Sequence, residues 1–240
     1  MALIVQKYGG SSLADADRIQ AVARRIARSR DSGNQVVVVV SAMGDTTDEL
    51  LRQAYTINEK PDERELALLL STGEIVSCTL VTMALRSLGY GAIGLSGGQA
   101  GIRTDVDYRR ARIVAVDPQR ILKELEEDKI VIVAGFQGTT ADMDITTLGR
   151  GGSDTTAVAL AAGLGAKICE IYTDVEGIYT ADPRVVPEAR KLEEIAYEEM
   201  LELAAHGAKM NPRSIELGAL YNIPLLVASS FGEASGTLIH

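Results

Sequence analysis

The chain has 240 residues, with 24 Lys and Arg against 33 Asp and Glu, a formal net charge of −9, 46% hydrophobic residues and only 4% aromatic ones. That balance argues against a polyanion-binding surface and so against nucleic acid as a partner; with two histidines in all, histidine-based nucleophile chemistry and a multi-histidine metal site are poorly supported. A core built mainly from Val, Ile, Leu and Ala suits a buried parallel sheet covered by helices.

Leu3 to Gln6 is the first expected strand, and it runs into Lys7-Tyr8-Gly9-Gly10-Ser11-Ser12. Such a start does not read as a signal peptide. Ala16 to Arg30 is expected to be a helix, because Ile19, Val22, Ala23, Ile26 and Ala27 fall on one face. Arg18, Arg24, Arg25, Arg28 and Arg30 then form its solvated side, and Gly33 ends it. Five valines, Val36 to Val40, form a strand buried on both faces. The polar loop Ser41 to Thr47 follows at the carboxyl end of that strand, the edge where open α/β sheets bind ligands.

Glu65 to about Leu88 is expected to be helical, with an interruption near Ser71-Thr72-Gly73-Glu74. Strands are expected at Ala92 to Leu95, Arg112 to Val116 and Ile130 to Ala134, with a helix from Pro118 to Glu127 carrying proline near its start. Thr139 to Asp144 reads as a polar excursion or hairpin. Lys167 to Thr173 is a strand, Glu198 to Ala205 and Ser214 to Tyr221 are helices, and Pro224 to Ala228 and Thr237 to Ile239 are the last strands. The alternation predicts an α/β fold with a mostly parallel sheet and helices on both faces. No apolar run reads as long enough to span a membrane. Cys78 and Cys169 lie in apolar stretches without metal-ligand spacing and read as buried thiols of a reducing, cytoplasmic environment.

Two glycine loops stand out. In Leu148-Gly149-Arg150-Gly151-Gly152-Ser153-Asp154-Thr155-Thr156, the glycines allow close backbone approach to an anion. Ser153 and Asp154 can cap the alanine-rich helix from Thr155 to about Ala162, whose N-terminus is a ready anion site. Arg150 adds a fork that matches a carboxylate. Lys7, before Gly9 and Gly10, is a compact charge able to meet a transferring phosphoryl oxygen, or else a surface lysine before an ordinary turn. The spacing is neither a Walker loop nor a dinucleotide fingerprint. Glu74 could hold an ammonium group or simply cap a helix, and Ser41 and Thr47 could bind an anion or merely serve the turn. Tyr179 could flank a purine and Asp182 and Arg184 could contact ribose and phosphate, or the segment is an Asp-Pro turn.

Taken in order, six stretches resemble the aspartate kinase catalytic domain of the amino-acid-kinase family: Gln6 to Ser12, Val40 to Asp48, Thr72 to Glu74, Val133 to Gly138, Leu148 to Thr156 and Tyr172 to Arg184. The resemblance implies a three-layer α/β/α sandwich with a mostly parallel central sheet. It also implies a single catalytic domain over 1–240, substrate in the N-terminal half and nucleotide in the C-terminal half, without regulatory ACT domains. The implied reaction is ATP- and Mg²⁺-dependent phosphorylation of the side-chain carboxylate of L-aspartate, the entry to lysine, threonine and methionine synthesis, by a cytoplasmic homodimer. It assigns Lys7 and Asp154 to catalysis; Thr47, Glu74, Arg150, Gly151, Gly152 and Ser153 to the amino acid; and Lys7, Gly9, Gly10, Ser41, Thr173, Asp174, Tyr179, Asp182, Arg184 and Lys209 to the nucleotide. No residue is assigned to a metal. The chain departs from the family at Gly73-Glu74-Ile75, where Gly-Glu-Arg is usual, and at Met210-Asn211-Pro212-Arg213, one residue shorter than the usual hydrophobic pair and His-Pro-Arg. A kinase for another acidic metabolite, such as glutamate or N-acetylglutamate, and a catalytically weak binding module are the competing readings.

Overall fold

The computed structural model describes residues 1–208, 210–232 and 234–240. In chain order the elements are β1 (Leu3–Tyr8), α1 (Ala16–Asp31), β2 (Gln35–Val40), α2 (Thr46–Ile57), α3 (Glu63–Ser87), β3 (Ala92–Leu95), β4 (Ile102–Thr104), β5 (Ile113–Val116), α4 (Gln119–Glu126) and β6 (Ile130–Ala134). They continue with β7 (Gln137–Thr139), β8 (Ile145–Thr147), α5 (Gly152–Leu164), β9 (Ile168–Thr173), β10 (Glu194–Ile195), α6 (Tyr197–Ala205), α7 (Pro212–Tyr221), β11 (Leu225–Ser229) and β12 (Thr237–Ile239).

The main sheet runs β10-β12-β11-β9-β1-β2-β6-β3. Every pairing in it is parallel except β11 with β12. Strands of period two send alternate side chains to opposite faces, and the valine strand does so fully. Val37 and Val39 enter one core with residues of α4, α5, α6 and α7, and Val36, Val38 and Val40 enter the other with residues of α1 and α3. The sheet is therefore the middle of three layers, as expected. A second small sheet, β5-β4-β7-β8, was not foreseen; it contains the expected hairpin as β7 and β8.

Several elements differ from expectation for identifiable reasons. α3 is continuous over 25 residues, and Gly73 does not interrupt it. A Cβ on Gly73 would lie 2.9 Å from the Ala42 Cβ, so glycine serves close approach there. Among the described helices α3 alone is long and apolar enough to cross a membrane by length and composition, which corrects the expectation of no such run. Its most apolar stretch is 56% buried within the fold, as a core helix would be, and Cys78, Val81 and Leu85 pack in the core on its side of the sheet. The polar side of α1 is also less solvated than expected, since the Arg25 guanidinium lies 4.8 Å over the Tyr172 ring.

Candidate active site

Alternation along β1 decides where Lys7 points. Val5 packs in the core that contains α5, whereas Ile4 and Tyr8 pack in the opposite one. Lys7 shares the parity of Val5 and therefore emerges toward α5 at the carboxyl end of the strand. There its Nζ meets Asp154 Oδ1 at 2.7 Å. Asp154 reaches this position because α5 begins earlier than expected. Gly151, at φ 71°, turns the chain into the helix without a side-chain cap. Ser153 and Asp154 consequently lie in the first helical turn and line the site, which corrects their reading as caps.

Lys7 and Asp154 open onto a cavity of about 790 Å³. The cavity also gathers Gly9, Gly10, Ser41, Thr47, Glu74, Arg150, Gly151, Gly152 and Ser153. Its floor is the ends of β1 and β2 and its walls are α2, α3 and the N-terminus of α5. Glu74 is 3% exposed. The Ala42 N–H donates to its Oε1 at 3.1 Å, while Oε2 is buried without a hydrogen-bond partner among the described residues. Burial pushes the Glu74 carboxyl up to about 7 despite the lowering effect of that backbone donor. An orphaned buried carboxylate oxygen is suited to an arriving cation.

The anion side is built from backbone. The Gly44 N–H donates to the Gly10 carbonyl at 3.1 Å, and a Cβ on Gly10 would lie 2.7 Å from the Ala42 oxygen. Across the cavity the turn before α5 is held by hydrogen bonds from the Leu148 N–H to the Phe136 carbonyl and from the Gly152 N–H to the Gly149 carbonyl, at 2.8 and 2.9 Å. Asn211, the N-cap of α7, donates through Nδ2 to the Arg150 carbonyl at 2.8 Å and accepts the Arg213 N–H. The shortened Asn211-Pro212-Arg213 segment thus supports the arginine turn.

The lining also includes residues to which the sequence reading gave no role, among them Asp48, Leu51, Leu70, Arg109, Arg110, Phe136, Thr147 and Arg213. The two arginines follow Asp107, whose carboxylate accepts both of their N–H groups and is held below its ordinary value by them. That Asx turn was legible in Asp107-Tyr108-Arg109-Arg110. Its packing against β8 was not.

The residues expected after β9 do not line this cavity. Thr173 Oγ1 donates to Asp174 at 3.0 Å, and the Tyr179 hydroxyl donates to Glu176 at 3.3 Å. Arg184 pairs with Asp182 at 2.7 Å and holds that carboxyl down to about 2. Lys209 lies outside the described residues. No cluster of three or more His, Cys, Asp or Glu side chains able to hold a metal occurs among the described residues.

Chemically, the cavity offers a strand-end cation, two glycine turns and a helix N-terminus for anions, with a buried carboxylate for a cation nearby. Such a set fits a phosphate chain beside a small zwitterion.

Comparison with known proteins gives the family and the fold. Residues 2–229 match the model of the amino acid kinase family. The chain is 58% identical over 241 residues to the aspartokinase of Corynebacterium efficiens and 55% identical over 240 to that of Thermus thermophilus, covering all of this chain but 57% and 59% of those proteins. It therefore spans little more than half the length of these relatives. Among solved structures, an aspartate kinase from Synechocystis superposes with a TM-score of 0.89 at 50% identity, over 99% of this chain and 39% of that one. E. coli aspartokinase III in complex with aspartate and ADP gives 0.87 at 30% identity, over 99% of this chain and 64% of that one.

Proposed function

The chain belongs to the amino acid kinase family, and on that premise we propose that it catalyses transfer of the γ-phosphoryl group of ATP to the side-chain carboxylate of L-aspartate. The observation that carries the reading is the 2.7 Å Lys7–Asp154 pair opening onto one cavity with Glu74 and Arg150. A carboxylate nucleophile is already ionised at neutral pH and needs no general base. The work left to the protein is positioning and charge neutralisation.

In this reading Asp154 orients Lys7, whose ammonium neutralises charge on the transferring group. Arg150 pairs with the α-carboxylate of aspartate and Glu74 Oε2 with its ammonium. Thr47 and the backbone of Gly151, Gly152 and Ser153 complete the amino acid pocket. Gly9, Gly10 and Ser41 line the phosphates, while Thr173, Asp174, Tyr179, Asp182 and Arg184 hold the nucleoside side; the resemblance assigns Lys209 to the nucleotide as well. The resemblance places the amino acid in the N-terminal half and the nucleotide in the C-terminal half of a single domain; Lys7, Gly9, Gly10 and Ser41 on one side and Arg150 to Ser153 on the other cross that division where both line the one cavity. Mg²⁺ would enter with the ATP phosphates and would supply further charge neutralisation beside Lys7. A cytoplasmic homodimer feeding lysine, threonine and methionine synthesis is the setting that goes with this activity.

The test is direct. Chain incubated with L-aspartate, MgATP and hydroxylamine should yield aspartyl hydroxamate. Folded protein that makes none, or that prefers an N-acylated acid, contradicts the assignment.

A further inference from the structure

The Ser41–Ala42 peptide bond is gripped at both polar ends by one helix. Ser77 Oγ donates to the Ser41 carbonyl at 2.6 Å, and the Ala42 N–H donates to Glu74 Oε1 at 3.1 Å. Glu74 and Ser77 are three positions apart on α3 and therefore face the same way. Ser77 is fully buried and is not among the residues that line the cavity. The gripped unit is also packed from two sides. Gly73 leaves room for the Ala42 Cβ, and Gly10 leaves room for the Ala42 oxygen. Gly44, two residues further on, donates to Gly10.

We propose that Ser77 is a positioning residue: with Glu74 it clamps the Ser41–Ala42 peptide, and through that peptide the amine end of the cavity is coupled to the phosphate turn at Gly9 and Gly10. This rests on the reading of Glu74 as the partner of the substrate ammonium. The physical chain is short. One carboxylate serves two donors, the Ala42 N–H at Oε1 and the incoming ammonium at Oε2. An ammonium at Oε2 favours the ionised carboxylate, which is the stronger acceptor for Ala42. Ala42 cannot shift without its oxygen moving against Gly10, because the packing there is tight. Ser77 sets the hinge of this movement by fixing the preceding carbonyl. Without it the peptide can rotate, and Ala42 no longer transmits the state of Glu74.

The test is calorimetric titration of MgADP into the chain with and without saturating L-aspartate, for wild type, Ser77→Ala and Ser77→Cys. Wild type should bind MgADP about fivefold or more tightly when aspartate is present, and aspartate should gain the same factor from MgADP, since binding coupling is reciprocal. Ser77→Ala should still bind each ligand, but with the coupling reduced to less than about twofold. Ser77→Cys, which retains the volume and a weak donor, should fall between, and it decides the matter if Ser77→Ala does not fold. A merely structural serine would lower melting temperature and weaken both ligands while leaving their coupling intact. Wild-type coupling preserved in both variants, or absent in a wild type that binds both ligands, overturns the proposal. A wild type that neither binds aspartate nor forms the hydroxamate overturns the functional reading and this inference together, and is recognised by the missing aspartate heat.

Discussion

Lys7 and Asp154 come from distant parts of the chain, yet Nζ and Oδ1 stand 2.7 Å apart with only 11% and 14% of their side chains exposed. The contact exists because β1 lies between β2 and β9 while α5 crosses the same face of the sheet. It joins the strand residue that leads into one glycine turn to the start of the helix that follows the other. A cation so placed is aimed by its partner and screened little by solvent.

Replacing Lys7 with Ala should lower kcat about 100-fold or more, the usual effect of losing one preorganised charge at a transferring group. The substitution also strands the Asp154 carboxylate, so a stability loss of about 1–3 kcal/mol is expected, less than for a fully buried pair because some solvent reaches it. Asp154→Asn should retain more stability than Lys7→Ala and still lose turnover. Hydroxamate formation and urea melts measure the two effects separately. Near-normal turnover in Lys7→Ala removes Lys7 from the chemistry.

Glu74 gives the chain a pH signature. Its carboxyl titrates near about 7 in the fold against an ordinary 4.5, because it is buried. Between those values the folded chain binds more protons than the unfolded one, so stability falls as pH rises through the window. The full cost at alkaline pH is about 3 kcal/mol. Glu74→Gln should therefore flatten the stability profile between pH 4.5 and 7 and be the more stable variant above it. It should also lose aspartate affinity. At pH 7 about half a proton should leave wild type on aspartate binding, read from binding heats in buffers of different ionisation enthalpy. Proton release that persists in Glu74→Gln assigns it to another group.

Much of the scaffold was legible in local pattern. Val36 to Val40 announced a doubly buried strand, and the spacing of Ile19, Val22, Ala23, Ile26 and Ala27 announced the buried face of α1. The errors arose where the cause was non-local. Gly73 looked like a break because glycine weakens helices, but it is there for a contact with Ala42, in another element. α2 was not read from the sequence although Leu50, Leu51 and Ala54 stand at helical spacing; Ala54 is its single buried residue. β4 is three residues long and gains its meaning from β5 and β7. The site divided in the same way. Motif residues at strand ends and at the α5 turn fell into one cavity, whereas Arg109 and Arg110 arrive through the packing of their loop, where the Thr147 N–H donates to the Tyr108 carbonyl at 2.8 Å.

The two glycines after Lys7 should respond differently to alanine. Gly9 has φ −76°, and a Cβ there would sit 3.5 Å from Lys7 Nζ and 3.8 Å from the Tyr172 carbonyl, both ordinary contacts. Gly9→Ala should therefore fold normally. Its methyl group occupies the space beside the ammonium, so KM for ATP should rise about tenfold or more as a charge-assisted contact is spoiled. A Cβ on Gly10 would meet the backbone oxygens of Ala42 and Gly44 at 2.7 and 3.1 Å. Gly10→Ala should cost about 1–3 kcal/mol of stability as well. Equal melting temperatures for the two variants would show that the Gly10 contact is not a constraint.

Asn211 makes two bonds that can be separated. Its Oδ1 caps α7 by accepting the Arg213 N–H at 2.9 Å, and its Nδ2 holds the Arg150 carbonyl at 2.8 Å. The Gly151 turn packs directly on this side chain, since a Cβ on Gly151 would overlap it. Asn211→Ser keeps a good N-cap but is too short to reach Arg150, so stability should stay within about 0.5 kcal/mol of wild type. The Gly149–Gly151 turn then loses its tether, and Arg150 presents its guanidinium less well. KM for aspartate should rise about fivefold, as expected for one net hydrogen bond of about 1 kcal/mol, with KM for ATP changed less. Asn211→Ala removes the cap too, adding about 1 kcal/mol of destabilisation to the same KM effect. Steady-state kinetics beside thermal melts distinguish the two roles: an unchanged aspartate KM in Asn211→Ser leaves Asn211 a helix cap and nothing more.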